Sequence, residues 1–170
     1  MYWDTPDGRL RKARAALKLR KVGSRRTLTF KREVAYRSGI SQRVEIVHPI
    51  RGPIGNKFLR VSRLEPVRRA RRVTGNRPWV RALTLKTLRH KRIFSFQGRR
   101  IEMALDRVSV LQSNRRVAVY REVELENLDA AKPVFLRALE DLRCRFSGRV
   151  KPSRRSKYEI GLKLSRGKLC

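Results

Sequence analysis

The stretch REVELEN, Arg121 to Asn127, sets an acid at every second position of a chain that carries 45 Lys and Arg but only 14 Asp and Glu. Successive side chains of a β-strand point to opposite faces, so Glu122, Glu124 and Glu126 share one face and Val123 and Leu125 the other. Three like charges in a row destabilise a strand unless positive charge meets them. The partner is a wall of Lys and Arg or a metal ion, and the fold must bring it to that face.

The totals narrow the choice. At 170 residues the chain suits one domain with a real core. Charged residues reach 35% against a usual ~25%, while apolar periodicity continues along most of the sequence. A net charge of +31 makes the chain repel itself and favours polyanionic partners: nucleic acid, polyphosphate or nucleotides. No stretch approaches the ~18 apolar residues that span a bilayer, so no membrane partner is expected. MYWDTPDGRL has no apolar signal core, and a cytoplasmic location is expected. Cys144 and Cys170 lack a CxxC partner and read as a buried and a terminal free thiol. His48 and His90 lack the spacing of a zinc site.

Around REVELEN the same period of two recurs. ALKLRK sets Leu17 and Leu19 opposite Lys18 and Arg20, RTLTFK sets Leu28 and Phe30 opposite Thr27, Thr29 and Lys31, and the VGSRR between them marks a hairpin. SQRVEIV sets Arg43, Glu45 and Val47 opposite Val44 and Ile46. Pro and Gly punctuate residues 48–78, where VRRARRV is a basic cluster, either a solvated helix face or mobile loop, or a polyanion contact. Residues 78–87 read as a short helix. LRHKRIFSF, a turn at Gln97-Gly98 and RRIEMALDRVSV read as a second hairpin. After REVELEN, Asp129 is expected to cap a helix reaching Arg143, with Pro133 in its first turn. The tail SKYEIGLKL reads as a closing strand. Seven or so strands with one clear helix favour an antiparallel α+β fold, and a closed barrel would remove its edges.

Each strand carries apolar side chains on one face and charges of both signs on the other. Such a face is either solvated or the lining of a water-filled barrel. If the faces converge, Lys18, Arg20, Lys31, Arg43, Arg89, Lys91 and Lys157 supply cations for phosphate oxygens. Glu45, Glu122, Glu124 and Glu126, with Asp106 beside them, supply the oxygen ligands that a hard divalent ion takes.

The order of these motifs resembles the CYTH superfamily, the triphosphate tunnel metalloenzymes. YWDTPDGRLRKARAALKLRK is similar to the family's Y-[YF]-[DE]-T-P-D segment and the L-R-x-R strand that follows it. LTFK is similar to its L-T-x-K strand, and Arg43 and Glu45 to its R-x-E-x-E strand. LRHKR, IEMALDRV, REVELEN and SKYEIGLKL resemble the family's later motifs in order. The resemblance implies an antiparallel eight-stranded β-barrel or tunnel with flanking helices, holding a triphosphate along its axis. It implies that Lys18, Arg20, Lys31, Arg43, Arg89, Lys91 and Lys157 bind phosphates. It also implies that Glu45, Glu122, Glu124 and Glu126 hold Mg²⁺ or Mn²⁺, with Glu122, Glu124 and Lys31 at the catalytic centre. Val47 and Val108 replace a Glu and a Gly of the family pattern. The family's opening E-x-E-x-K strand has no counterpart ahead of Tyr2. The expectation is therefore one CYTH-like domain over residues 1–170, truncated at its N-terminus, with about seven strands. The expected function is metal-dependent hydrolysis of inorganic triphosphate or a related substrate. The alternative is a non-catalytic module that binds polyphosphate or RNA through its basic surface.

Overall fold

Period-two alternation builds seven antiparallel strands in this computed structural model, which describes residues 1–37, 40–75 and 77–167. They are β1 (Tyr2–Asp4), β2 (Ala15–Val22), β3 (Arg25–Arg37), β4 (Ile40–Pro49), β5 (Val80–Phe96), β6 (Arg99–Gln112) and β7 (Arg115–Asn127). The helices among the described residues are α1 (Arg9–Lys12), α2 (Asn56–Val61), α3 (Glu65–Thr74), α4 (Lys132–Arg145) and α5 (Lys157–Arg166). Among the described residues the strand order is β4-β3-β2-β1-β5-β6-β7, with no pairing of β4 to β7 and no eighth strand to close it into the expected barrel.

Turn chemistry fixes the hairpins. Gly23, at φ +57°, turns β2 into β3 and sets Leu17 opposite Phe30 and Leu19 opposite Leu28. Gln97 and Gly98 are both left-handed, as are Ser113 and Asn114. Two such residues in succession give a tight turn whose twist matches that of the strands it joins. The second of these turns sets Asp106 opposite Glu122, Ala104 opposite Glu124 and Glu102 opposite Glu126.

Four expectations need correction. Residues 78–87 are the start of β5, not a helix: Val80, Arg81 and Leu83 pair with β1, and the alternating Leu and Thr of RALTLKTL suit a strand. The helix after REVELEN begins at Lys132 with Ala131 as its N-cap. Asp129 instead accepts bonds from the Arg100 amide (2.6 Å) and Nε (2.8 Å). The tail is helical because Ser156 and Glu159 form a reciprocal capping box, which outweighs the alternation of KYEIGLKL. Cys144 is an exposed thiol on α4, while Cys170 lies outside the described residues.

The chain forms two compact units. The first comprises residues 1–84 and 154–170, the second residues 85–153. In the first unit Trp3, Leu17, Leu28 and Phe30 of the sheet pack with Leu59 of α2, Val67 and Ala70 of α3 and Trp79. Leu17, Leu28, Leu59 and Val67 are fully buried, and each such side chain contributes roughly 1.5–3 kcal/mol. The same unit ties its two chain segments together through Asp4. That carboxylate accepts from the amides of Thr5 (2.8 Å), Leu10 (2.9 Å) and Arg11 (3.1 Å) and from the Tyr158 hydroxyl of α5 (3.0 Å). The Tyr158 ring stacks on Tyr2 at 5.0 Å between centroids. Burial, reinforced by the Asp4 charge, pushes the Tyr158 hydroxyl well above the usual tyrosine range.

The second unit departs from the apolar-in rule. On β6 the side chains of Ala104, Asp106, Val108 and Val110 are buried, while Leu105 between them is 46% exposed. On β6 the acid Asp106 is therefore buried, while Glu124 on the facing strand β7 keeps 41% of its side chain exposed.

Candidate functional site

Register brings the acids of the second unit together. Asp106 on β6 and Glu122 and Glu124 on β7 each offer a carboxylate oxygen within 4.8 Å of the others. Two of the three come from the E-x-E of REVELEN, and the antiparallel pairing supplies the third from directly across. Arg89 of β5 reaches into the same cluster. Its Nε and Nη2 bond both oxygens of Asp106 at 2.7 and 2.5 Å, and Nη2 also meets Glu124 at 2.5 Å. The Asp106 side chain is completely buried and that of Arg89 only 24% exposed, so this is a desolvated, two-pronged pair. The bonds to Asp106 come first in raising the Arg89 guanidinium above its ordinary range, with Glu124 adding to them. Next along this face Lys91 pairs with Glu102 at 2.6 Å, and Glu126 lies opposite Glu102 at the exposed end.

Three carboxylates that converge this closely suit a hard divalent ion, which prefers oxygen donors. The donor set fits Mg²⁺ or Mn²⁺, and Asp106, Glu122 and Glu124 are the residues that would hold it. In the structure the Arg89 guanidinium supplies positive charge to that position.

The first unit carries the opposite balance. Lys18, Lys31 and Glu45 lie on one face of β2, β3 and β4, opposite the packed core. Lys31 sits directly across from Glu45, and their side chains meet at 2.5 Å. Lys18 is half-buried, and burial together with the neighbouring charges of Lys31 and Arg20 lowers its ammonium to about 7, against the opposing pull of Glu45. Arg20 is exposed near the end of β2. Arg43 bonds Ser41 at 2.9 Å, and Ser41 in turn donates to Glu33 at 2.8 Å. Lys157 is the first residue of α5 rather than part of a strand.

The depressed Lys18 has a stability consequence with a definite sign. Its folded value lies below its unfolded one, so between about 7 and the ordinary 10.5 the unfolded chain binds more protons and stability rises with pH. Below that window the folded protein bears the full cost of the crowded charge. Lys18→Met is therefore expected to raise the melting temperature at pH 7, with the gain fading as pH rises towards 10.5. Melting curves across that range check it, and a variant less stable than the parent at pH 7 would refute it.

Of the residues singled out from sequence, the structure gathers Glu122, Glu124, Asp106 and Arg89 in one place and Lys18, Lys31 and Glu45 in another. Glu45 belongs to the first unit and is bound to Lys31, and Glu126 is outside the three-carboxylate group. Sequence reasoning passes over Glu33, whose side chain is only 10% exposed. It binds Arg14 at 2.6 Å and lies 3.7 Å from Arg154, which also covers the Tyr36 ring at 4.5 Å. Its signal was the alternation that already marked Lys31, two residues earlier. Burial pushes the Glu33 carboxyl up, but the bonds from Arg14 and Ser41 prevail and hold it below its ordinary value.

The site is thus an antiparallel sheet with Lys and Arg on the charged face of one unit and a group of three carboxylates in the other. The family model for the CYTH domain matches residues 1–149, and the chain belongs to that family. The fold is shared with solved structures, among them the following two. One, a candidate adenylate cyclase from Bacillus halodurans, is 18% identical, with a TM-score of 0.64 over 94% of this chain and 78% of that one. The other, a candidate adenylyl cyclase from Hippeastrum with a dominant triphosphatase activity, is 19% identical, with a TM-score of 0.65 over 99% and 81%. No curated protein matches the sequence. No helix among the described residues is long and apolar enough to cross a membrane.

Proposed function

We propose that the chain is a metal-dependent triphosphatase that hydrolyses inorganic triphosphate or a related triphosphate-containing substrate, with Mg²⁺ or Mn²⁺ as cofactor. The observation that carries this reading is the meeting of Asp106, Glu122 and Glu124 within 4.8 Å in a chain of net charge +31. Membership of the CYTH family and a fold shared with the Hippeastrum triphosphatase support it.

In this reading Lys18, Arg20, Lys31, Arg43, Arg89, Lys91 and Lys157 hold phosphate oxygens, the arginines through paired N–H bonds and the lysines as point charges. Lys31 additionally offsets charge that builds on the phosphoryl group as it transfers. Glu122 and Glu124, with Asp106 beside them, hold the metal. A bound divalent ion there supplies polarisation of a phosphoryl oxygen and an activated water. Phosphoryl transfer asks little more of a protein than positioning and electrostatics. We read residues 1–170 as one domain, in which α5, beyond the family match, is tied through Tyr158 to Asp4 of the first unit.

Phosphate release from tripolyphosphate is expected to require Mg²⁺ or Mn²⁺. Glu122→Gln and Glu124→Gln are each expected to reduce it by at least the roughly 10–100-fold seen when groups supporting a metal ligand are removed. Release that persists in a chelator, or that both variants retain, would overturn the reading.

A further inference from the structure

The segment from α2 through α3 and on to Arg77, residues 56–77, holds eight Lys and Arg and one acid, Glu65. Pro66, Val67, Ala70 and Thr74 turn one side of α3 into the core of the first unit. The exposed side presents Arg68, Arg69 and Arg72, and α2 and the loop after it add exposed Lys57, Arg60 and Arg63. Arg71 is committed internally, bonding the carbonyl oxygens of Arg60 and Ser62 and so fixing α2 against α3. Glu65 is shared between Arg68 at 3.2 Å and Arg69 at 2.7 Å, which leaves the face strongly positive.

The face is costly to the isolated protein. Arg68 and Arg72 are four residues apart on one helix, where like charges destabilise it. By contrast, α4 matches Glu140 to Arg143 and Asp141 to Arg145 along its exposed side. A helix that only needed solubility would follow that second pattern. Seven of the eight cations are Arg, whose planar fork matches phosphate oxygens in a way Lys cannot. Among the described residues the one large exposed aromatic is Phe146, which belongs to the second unit. The α2–α3 face therefore has phosphate-binding groups but no exposed aromatic platform on which unpaired bases would stack.

We propose that the α2–α3 face of the first unit binds the phosphate backbone of double-stranded nucleic acid without reading its sequence. Contact of this kind positions a protein on a duplex but carries no base information. It is independent of triphosphate hydrolysis and uses none of the residues assigned to that reaction.

The test measures binding of random-sequence DNA and RNA duplexes by fluorescence anisotropy, between about 50 and 200 mM salt, where backbone contacts show their steepest effect. The full chain is compared with Arg68→Gln/Arg69→Gln/Arg72→Gln and with Arg99→Gln/Arg115→Gln/Arg116→Gln, which removes equal charge from the hairpin turns of the second unit. The α3 variant is expected to bind at least about tenfold more weakly, with a salt slope flatter by about 2–3, near 0.9 for each lost phosphate contact. The turn variant should stay close to the parent. Equal weakening in both variants would replace a defined face with diffuse net charge and overturn the proposal. So would affinity for inorganic polyphosphate without affinity for either duplex. The melting temperature of the α3 variant, expected to be no lower than that of the parent, reports that it has folded.

Discussion

Asp4→Ala is expected to destabilise the first unit by about 3–5 kcal/mol, since each buried donor left without an acceptor costs about 1–3 kcal/mol and such losses are not additive. Asp4 is 1% exposed and accepts four bonds: three from backbone amides at the start of the chain and one from the Tyr158 hydroxyl. Alanine leaves the amides of Thr5, Leu10 and Arg11 facing a small void that offers no acceptor. For a chain of this size the loss corresponds to a fall of roughly 10 °C in melting temperature. Tyr158→Phe keeps the ring stacked on Tyr2 and removes a single bond, so its effect should be about 1.5–3 kcal/mol, the range for a bond to a charged group. The ordering of the two variants is the diagnostic quantity. If Tyr158→Phe were as damaging as Asp4→Ala, the docking of α5 and not the capping of α1 would be the main role of the carboxylate. Thermal melts of both variants at one pH settle the order.

This anchor shows which features a sequence discloses. The hairpins were legible because their signals are local: Leu17 and Leu19 alternate with Lys18 and Arg20, and Gly23 marks the turn between β2 and β3. The E-x-E of REVELEN was legible for the same reason. The third carboxylate depended on register, since Asp106 meets Glu122 only because the turn at Ser113-Asn114 pairs those two positions. Arg89 carries no local mark that separates it from Lys91, yet one binds Asp106 and Glu124 and the other Glu102. The tail misled because KYEIGLKL alternates well enough for a strand, whereas its state is decided by Ser156 reaching Glu159. Residues 78–87 misled in the opposite direction. Their strand state depends on pairing with β1, more than seventy residues earlier. The inversion on β6, with Asp106 buried and Leu105 exposed, contradicts the usual rule that charges face water. Inversions of this kind mark functional faces, because burying a carboxylate is costly unless a cation or metal compensates it.

Arg89→Met is the sharpest probe of that face. The substitution keeps a long side chain but removes the guanidinium that bridges Asp106 and Glu124. Removing one partner of a buried ion pair typically costs about 3–5 kcal/mol, because the remaining charge stays desolvated. Here the loss is compounded, since Glu122 lies within 4.8 Å of the same carboxylates and like charges repel. The variant is therefore expected to melt well below the parent in a chelator. Added Mg²⁺ or Mn²⁺ should restore much of the loss, because an ion that binds only the folded state contributes about 2.7 kcal/mol at a hundredfold excess over its dissociation constant. The parent, whose cluster already holds a guanidinium, should gain less from the same metal. Calorimetric titration with Mn²⁺ gives an independent readout, with tighter binding expected in the variant than in the parent. If the variant is destabilised but indifferent to Mg²⁺ and Mn²⁺, then Asp106, Glu122 and Glu124 serve an internal ion pair and not a metal. If metal restores it, the three carboxylates accept either cation, and Arg89 competes directly with the ion for the site that REVELEN builds.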